Sequence, residues 1–557
     1  MEPTTVYPAR LVRTMDPARP TAEAVAVRGD RIRAVGTVAE LMTYPGAVLD
    51  ERYAGTVLLP GFVEAHSHAG SGNVWANTYV GLVDRTDPDG RRWPGCRTLD
   101  EVLQRLREAE AELAGPDEPL LAWGLDPIYF PGQPFAAAQL DRVSATRPIH
   151  VAHTSGHVCA VNTAVLRRFG IDASTPVPGV VKDDAGNPTG ELQEFAAMGL
   201  VEELTAGTGL LTIDARALRR FAQDGVNTGT TTLTDLGSML LMDDDGVELY
   251  RSTVDDGFPA RLDVFHFGAG VGPVSRPLPE AAERLVQLRE LSTDRLRFGN
   301  VKLMLDGSIQ GFTARLLEPG YLNGEPNGIW AVSPEEFCEA FETFHRAGLL
   351  IHVHCNGDQT TQLFLDTLEA VLTTHPRPDH RHTCTHSQLS TAAQYRRMAA
   401  LGACANVFAN HIWAWGDQHM DLTVGPDRAA RMNAAATALR LGVPISLHSD
   451  TPVTPLGPLH AVKHAVTRLT VSGRVMGEHE RIGVQEALEA VTIGGAYLLK
   501  RDHEVGSLEA GKFADLAVLA EDPLAVVPEE IGGIHVLGTV VGGDHHASVV
   551  PAPGSAP

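Results

Sequence analysis

Short apolar runs that end in, or enclose, a histidine, lysine or aspartate recur along this chain. Residues 56–68 read Thr-Val-Leu-Leu-Pro-Gly-Phe-Val-Glu-Ala-His-Ser-His and close on His66 and His68. Residues 299–307 hold Lys302 inside Val-Lys-Leu-Met-Leu. Residues 349–354 end on His354, residues 381–386 on His386, and residues 443–450 on Asp450. Apolar runs of this length predict β-strands. Chemistry-bearing residues gathered from separate strand ends are how a (β/α)8 barrel builds an active site. The spacing agrees, because one β/α unit takes about 30 residues. His354 and His386 lie 32 residues apart, and His386 and Asp450 lie 64 apart, with a further strand-like run at 403–409 between them.

Residues 230–235, 261–266 and 301–304 predict strands two, three and four. From His68 to Thr230 is 162 residues, far more than one helix needs. Residues from about 70 to 225 are therefore expected to hold an extra subdomain. It would follow a barrel strand, so it would cap the active-site face and shape substrate preference. The chain ends have another texture. Residues 24–36 read as strand, turn, strand, with Gly29-Asp30 supplying the turn. Residues 511–519 and 535–541 are again strand-like. The expectation is an α/β protein: a TIM barrel with a large insertion after strand one and a small β-sandwich formed by both chain ends. Its parts are 1–58 (sandwich), 59–502 (barrel), 503–548 (sandwich) and a tail at 549–557. That tail is too poor in apolar residues to pack and is expected to be disordered.

Composition narrows the function. A chain of 557 residues can bury an ample core. A net charge of −24 argues against nucleic acid, which wants a basic stripe, and against anionic membrane surfaces. No apolar run reaches 18 residues and no secretory h-region precedes residue 30, so a cytoplasmic protein is expected. Six cysteines with no Cys-x-x-Cys pair exclude a cysteine zinc site and point to buried thiols. The oligomeric state stays open, a homodimer included.

Two histidines one residue apart in an extended segment point the same way, so His66 and His68 can grip one ion together. The bland alternative is two ordinary histidines at a strand end, and the further histidines and the terminal acid weigh against it. Imidazole suits zinc, iron or nickel, so ligand type alone leaves the metal open. His352 sits in an apolar run and reads as a packed residue rather than a ligand. A lysine in an apolar strand is costly when charged, which sets Lys302 apart from an ordinary snorkelling side chain. Asp450, in Ser-Asp-Thr-Pro, could be a helix N-cap or a proton-transfer group. Trp413, Trp415 and His419 follow the seventh strand and could shape an apolar pocket, or simply pack a loop. His157, within the insertion, is a candidate hydrogen-bond donor to a substrate carbonyl. Glu191 and Glu194 read as charges on a helix face or as groups that support the site from behind it.

The motifs resemble the amidohydrolase superfamily, and within it the YtcJ-like enzymes that include N-substituted formamide deformylases. The matching segments are residues 59–68, 153–157, 301–308, 354–358, 386–388, 448–450 and 506–516, spread over nearly the whole chain. The resemblance implies one or two divalent metal ions, zinc first among them. His66 and His68 would hold the more buried ion, and His354 and His386 the second. Lys302 would be carboxylated and bridge them. Asp450 would bind metal and carry the proton.

The expected function is metal-dependent hydrolysis of a non-peptide amide bond in a small molecule. An N-formyl or N-acyl amine is the first substrate class. A cyclic amide or an N-acyl amino acid is the alternative within the superfamily. A metal-assisted decarboxylase and a non-catalytic metal-binding protein are remoter readings, since fold does not fix chemistry.

Overall fold

The computed structural model describes residues 3–115, 117–209, 212–269 and 276–551. Eight strands form one sheet in chain order: β1 (Phe62–Val63), β2 (Thr230–Ser238), β3 (Arg261–Ala269), β4 (Leu296–Met304), β5 (Leu350–Cys355), β6 (Thr383–His386), β7 (Cys404–Val407) and β8 (Ile445–Leu447). Every neighbouring pair from β1 to β8 runs parallel. The two ends of this ladder meet at the rim. Asp450 N donates to His66 O at 3.2 Å and His68 N donates to Thr451 O at 3.2 Å. The apolar outer faces of the strands pack against surrounding helices in one large core that includes Leu262, Val301, Ile351 and Phe341.

The first apolar run does not stay in one sheet. Val57–Pro60 pairs antiparallel with Leu516–Leu519 from the far end of the chain, and only Phe62–Val63 enters the barrel. The switch falls at Gly61. A Cβ there would lie 2.0 Å from Thr231 Oγ1, so only glycine lets the backbone pass β2 at this distance. His66 and His68 therefore lie beyond the strand proper. They are still fixed on both sides, because Ser67 O also accepts from Leu236 N at 2.8 Å.

Both chain ends interleave in one eight-stranded mixed sheet beside the barrel base. Two buried ion pairs lie at this base. Arg261 on β3 meets Asp515 at 2.6 Å, and Arg501 meets Asp263 on β3 at 2.6 Å. Val549, at the start of the expected tail, donates to Asn227 Oδ1 at 3.0 Å. Residues 552–557 of that tail lie outside the described residues.

Between β1 and β2 the chain builds a six-stranded sheet of its own. Its inner strands are Leu120–Leu125, Ile149–His153, Val158–Val161 and Pro188–Gln193. The helix Leu99–Glu112, capped by Thr98, covers one face with Val102, Leu103 and Leu106. Among the described residues no helix is long and apolar enough to cross a membrane.

Candidate active site

The strand ends on the C-terminal side of the barrel converge on one polar cluster. His66 Nε2 lies 3.0 Å from Asp450 Oδ1, and His68 Nε2 lies 3.2 Å from the same oxygen. His386 Nδ1 is 3.7 Å from Asp450 Oδ2, and His386 Nε2 is 2.9 Å from His354 Nδ1. His66, His68, His354, His386 and Asp450 are thus brought together. Lys302, on β4, is paired in register with His352 and is 2% exposed. Its Nζ has no hydrogen-bond partner among the described residues.

Backbone strain marks the same place. His386, Ser387 and Asp450 have φ of 68°, 51° and 55°. Non-glycine residues enter this left-handed region at a cost and stay there when the surroundings over-determine them. Here they turn side chains at the ends of β6 and β8 inward.

The electrostatics follow from burial. Desolvation pushes His66, His354 and His386 well below the usual imidazole range, which favours their neutral form. Burial alone would raise the Asp450 carboxyl, but His66, His68 and His386 outweigh it and hold it well below the usual carboxylate range. Burial brings Lys302 down to about 7. Glu64, buried beneath the cluster, is pushed up to about 8 by desolvation, against the opposing hydrogen bond from Ser449 N.

Supporting groups fix the ligand faces. His354 Nε2 lies 3.3 Å from Gly307 O, which leaves its Nδ1 directed at His386. Asp306 accepts from Asn356 N at 3.0 Å, Gly357 N at 2.8 Å and Arg315 N at 3.0 Å, tying the loop after β4 to the loop after β5. Imidazole nitrogens and one carboxylate form donor sets of suitable size: His66, His68 and Asp450, and His66, His386 and His448, each have ligand atoms within 4.8 Å of one another. This donor set fits a divalent ion of the zinc, iron or nickel kind.

His448 was not singled out from sequence, yet its ring lies 4.8 Å from that of His66 and 5.1 Å from that of His386. Both of its nitrogens are buried without partners among the described residues. Its two-residue offset from Asp450 was the available signal. Glu64 and Asp306 carry no separate signal in the sequence.

The substrate-side candidates divide. His157 reaches the cluster from the insertion, with its ring 5.2 Å from that of His354. Its Nδ1 meets Glu194 Oε2 at 2.9 Å. Burial lowers the His157 imidazole, but the Glu194 carboxylate more than reverses this and leaves it raised. Glu194 is therefore no helix-face charge; it is buried, with φ of 60°. Trp413 stacks on His464 at 5.1 Å. Together with Trp415, Tyr79, Tyr129 and Arg85, Trp413 lines a cavity of about 20 Å³ where insertion and barrel meet. Trp415 is 1% exposed and donates from Nε1 to Asp126 Oδ2 at 3.0 Å. His419 sits behind His411, with Nε2 2.9 Å from His411 Nδ1, and does not reach the histidine cluster in this structure.

A family model described as the amidohydrolase family matches residues 54–545. An N-substituted formamide deformylase of Arthrobacter pascens is 27% identical over 540 residues, covering 96% of each chain. YtcJ of Bacillus subtilis (strain 168), named as an amidohydrolase, is 27% identical over 94% of this chain and 95% of its own. A crystal structure of an uncharacterized metal-dependent hydrolase from Pyrococcus horikoshii OT3 superposes with a TM-score of 0.68 at 18% identity, covering 98% of this chain and all of the other. These findings agree with the motifs at residues 59–68, 301–308, 386–388 and 448–450, and the chain belongs to the amidohydrolase family, a family of hydrolases.

Proposed function

We propose that this protein hydrolyses the carbon–nitrogen bond of a small N-formyl or N-acyl amine. The observation that carries the reading is the set of imidazoles around one carboxylate, Asp450, at the open ends of parallel strands. The likeness to a formamide deformylase over 96% of both chains supports the substrate class.

His66, His68 and Asp450 would hold one ion, and His354 and His386 a second. Lys302, whose buried Nζ is free of hydrogen bonds and brought down to about 7, is suited to react with CO2, losing a proton and gaining a carboxylate that bridges both sets. A divalent ion held there lowers the pKa of a bound water toward ~7 and polarises a carbonyl. Zinc is the metal we propose.

The chain's own groups do the rest. Asp450, ionised and aimed at the cluster, takes a proton from the attacking water and returns it to the leaving nitrogen. His157, fixed through Nδ1 by Glu194, holds the substrate carbonyl from the insertion side. Trp413, half-buried on the helix Asn410–Gln418 that follows β7, would bound the amine side of the substrate. The partner is thus a small-molecule amide. Cyclic amides and N-acyl amino acids are the second reading, since the same groups would open those bonds.

The test is a product analysis on zinc-loaded protein with N-formyl and N-acetyl arylalkylamines, cyclic imides and N-acyl amino acids. Amine plus formate or acetate supports the proposal. Turnover of cyclic or amino-acid compounds alone moves the substrate class. Release of CO2 would replace hydrolysis by decarboxylation.

A further inference from the structure

We propose that Arg85, in the segment between β1 and β2, is a positioning residue for Asp450: its guanidinium pins the turn that follows this aspartate. The inference rests on the reading of Asp450 as the proton-transfer group.

Arg85 lies in the two-residue strand Arg85–Thr86, paired antiparallel with Arg92–Trp93. The residue is 6% exposed. Its Nη1 donates to Pro452 O at 2.7 Å and its Nη2 donates to Val453 O at 2.9 Å. Val453 N in turn donates to Asp450 O at 2.7 Å, which closes the turn 450–453. Thr154 Oγ1, also from the insertion, lies 3.5 Å from Val453 O.

The turn needs such support. Asp450 holds a φ of 55°, a backbone state that persists only where neighbours enforce it. On one side the enforcement comes from β1, through the Asp450 N to His66 O hydrogen bond of 3.2 Å. On the other side it comes from Arg85. Among the described residues the hydrogen-bond partners of this guanidinium are carbonyl oxygens and include no carboxylate. The rings of Tyr79 and Trp123 flank it, at 5.8 and 5.3 Å. The Asp224 carboxylate lies close enough to offset part of the cost of burying this cation, and the two carbonyls fix where the guanidinium sits. A rigid fork that satisfies two successive carbonyls does what a lysine ammonium cannot reproduce. The insertion thereby gains a direct hold on the position of the Asp450 carboxylate.

The test uses full-length, zinc-loaded wild type, Arg85→Ala and Arg85→Lys. Three things are measured: hydrolysis of an N-formyl arylalkylamine, metal content, and hydrogen–deuterium exchange of the peptide spanning residues 447–456. For Arg85→Ala we expect full metal content and a KM within a few-fold of wild type. Its kcat should fall on the order of 10²-fold, the size of loss an ångström of misplacement causes. Exchange should rise in 450–455 and stay unchanged in β4 to β6. Millimolar guanidinium chloride should restore part of kcat without moving KM, and Arg85→Lys should fall between the two. Unchanged kcat and exchange in a folded Arg85→Ala protein would overturn the proposal. So would loss without rescue, accompanied by faster exchange across the whole insertion, which marks a general structural role. If Arg85→Ala does not fold, Arg85→Lys carries the same readouts. If wild type cleaves no amide, the functional reading fails, and the exchange data still decide whether Arg85 holds the turn.

Discussion

Asp450 and His66 are joined twice. Asp450 Oδ1 lies 3.0 Å from His66 Nε2, and Asp450 N donates to His66 O at 3.2 Å. The side-chain contact builds the site, and the main-chain contact closes the barrel between its last and first strands. Closure and the proposed chemistry thus depend on the same two residues. Asp450→Asn keeps the main-chain bond and the shape, and removes the charge. The variant should fold and lose kcat by about 10²–10⁴, the usual weight of a general acid–base group. Circular dichroism and steady-state kinetics check this. Activity within a few-fold of wild type would reduce Asp450 to a structural role.

Lys302 offers a separate test. Its Nζ is buried and unpartnered among the described residues, and a bridging carboxylate would give it partners. Protein equilibrated with ¹³C-bicarbonate should show a carbamate carbon that Lys302→Ala lacks. Lys302→Ala should be inactive and regain part of its activity with added short carboxylic acids. Lys302→Arg should stay inactive, because a guanidinium does not ligate metal. An unmodified Lys302 in fully active protein would remove the bridge from the mechanism.

Much of this site was legible in the sequence, and the reason is geometric. Barrel strands recur at near-constant spacing and end on one face, so His354, His386 and Asp450 could be placed by counting. His66 and His68 are expected to close a strand; the strand stops earlier, at Val63, and hydrogen bonds to both neighbours hold the segment that carries them. What sequence could not supply was contact between distant segments. Glu194 reads equally as a helix-face charge or as a support for the site, because its φ of 60° leaves no periodic signal to decide between them. Trp415 and His419 share a loop with Trp413, but only the fold shows that Trp415 pairs with Asp126 and that His419 backs His411. His448 was overlooked because a histidine at the end of an apolar run has an ordinary buried reading.

His448 now carries an expectation of its own. With both nitrogens unpartnered among the described residues, its loss should weaken metal binding without disturbing the fold. His448→Ala should release zinc at a chelator concentration that leaves wild type loaded. The buried, hydrogen-bonded His345, on the helix Pro334–Arg346, serves as the control, and His345→Gln should keep its metal. Equal retention by both variants would exclude His448 from the ligand set.

Acid should destabilise the insertion before any ligand chemistry is involved. Burial holds His150 at about 4 and His153 at about 3, below the unfolded value near 6.5. The unfolded chain therefore binds more protons between those values. Stability is fully present above pH 6.5 and is lost as pH falls from 6.5 toward 4. One pKa unit corresponds to about 1.4 kcal/mol, so each histidine costs on the order of 1–3 kcal/mol by pH 4. Urea midpoints measured from pH 8 to 4.5 should fall with acid, and a folded His153→Gln variant should show a shallower slope. A slope identical to wild type would mean that His153 is not kept neutral by folding.

Substrate size should be set by Trp413 and not by Trp415, although both line the same small cavity. Trp415 is fully enclosed and hydrogen-bonded to Asp126, so Trp415→Ala leaves a void and one unpaired oxygen on the buried Asp126. Truncations of this kind cost about 3–5 kcal/mol, and the variant should lose stability and all activities together. Trp413 is only half-buried and rests on His464, so its removal opens space beside the insertion without breaking a hydrogen bond of its indole. An apolar pocket discriminates a methylene by only ~1–3 kcal/mol, so selectivity should be broad and governed by fit. Trp413→Ala should therefore raise KM for N-formyl arylalkylamines by several-fold, leave small aliphatic amides nearly unchanged, and admit bulkier acyl groups. A KM increase equal for aromatic and aliphatic substrates would place the aromatic wall elsewhere, with the ligand cluster and Asp450 untouched by that result.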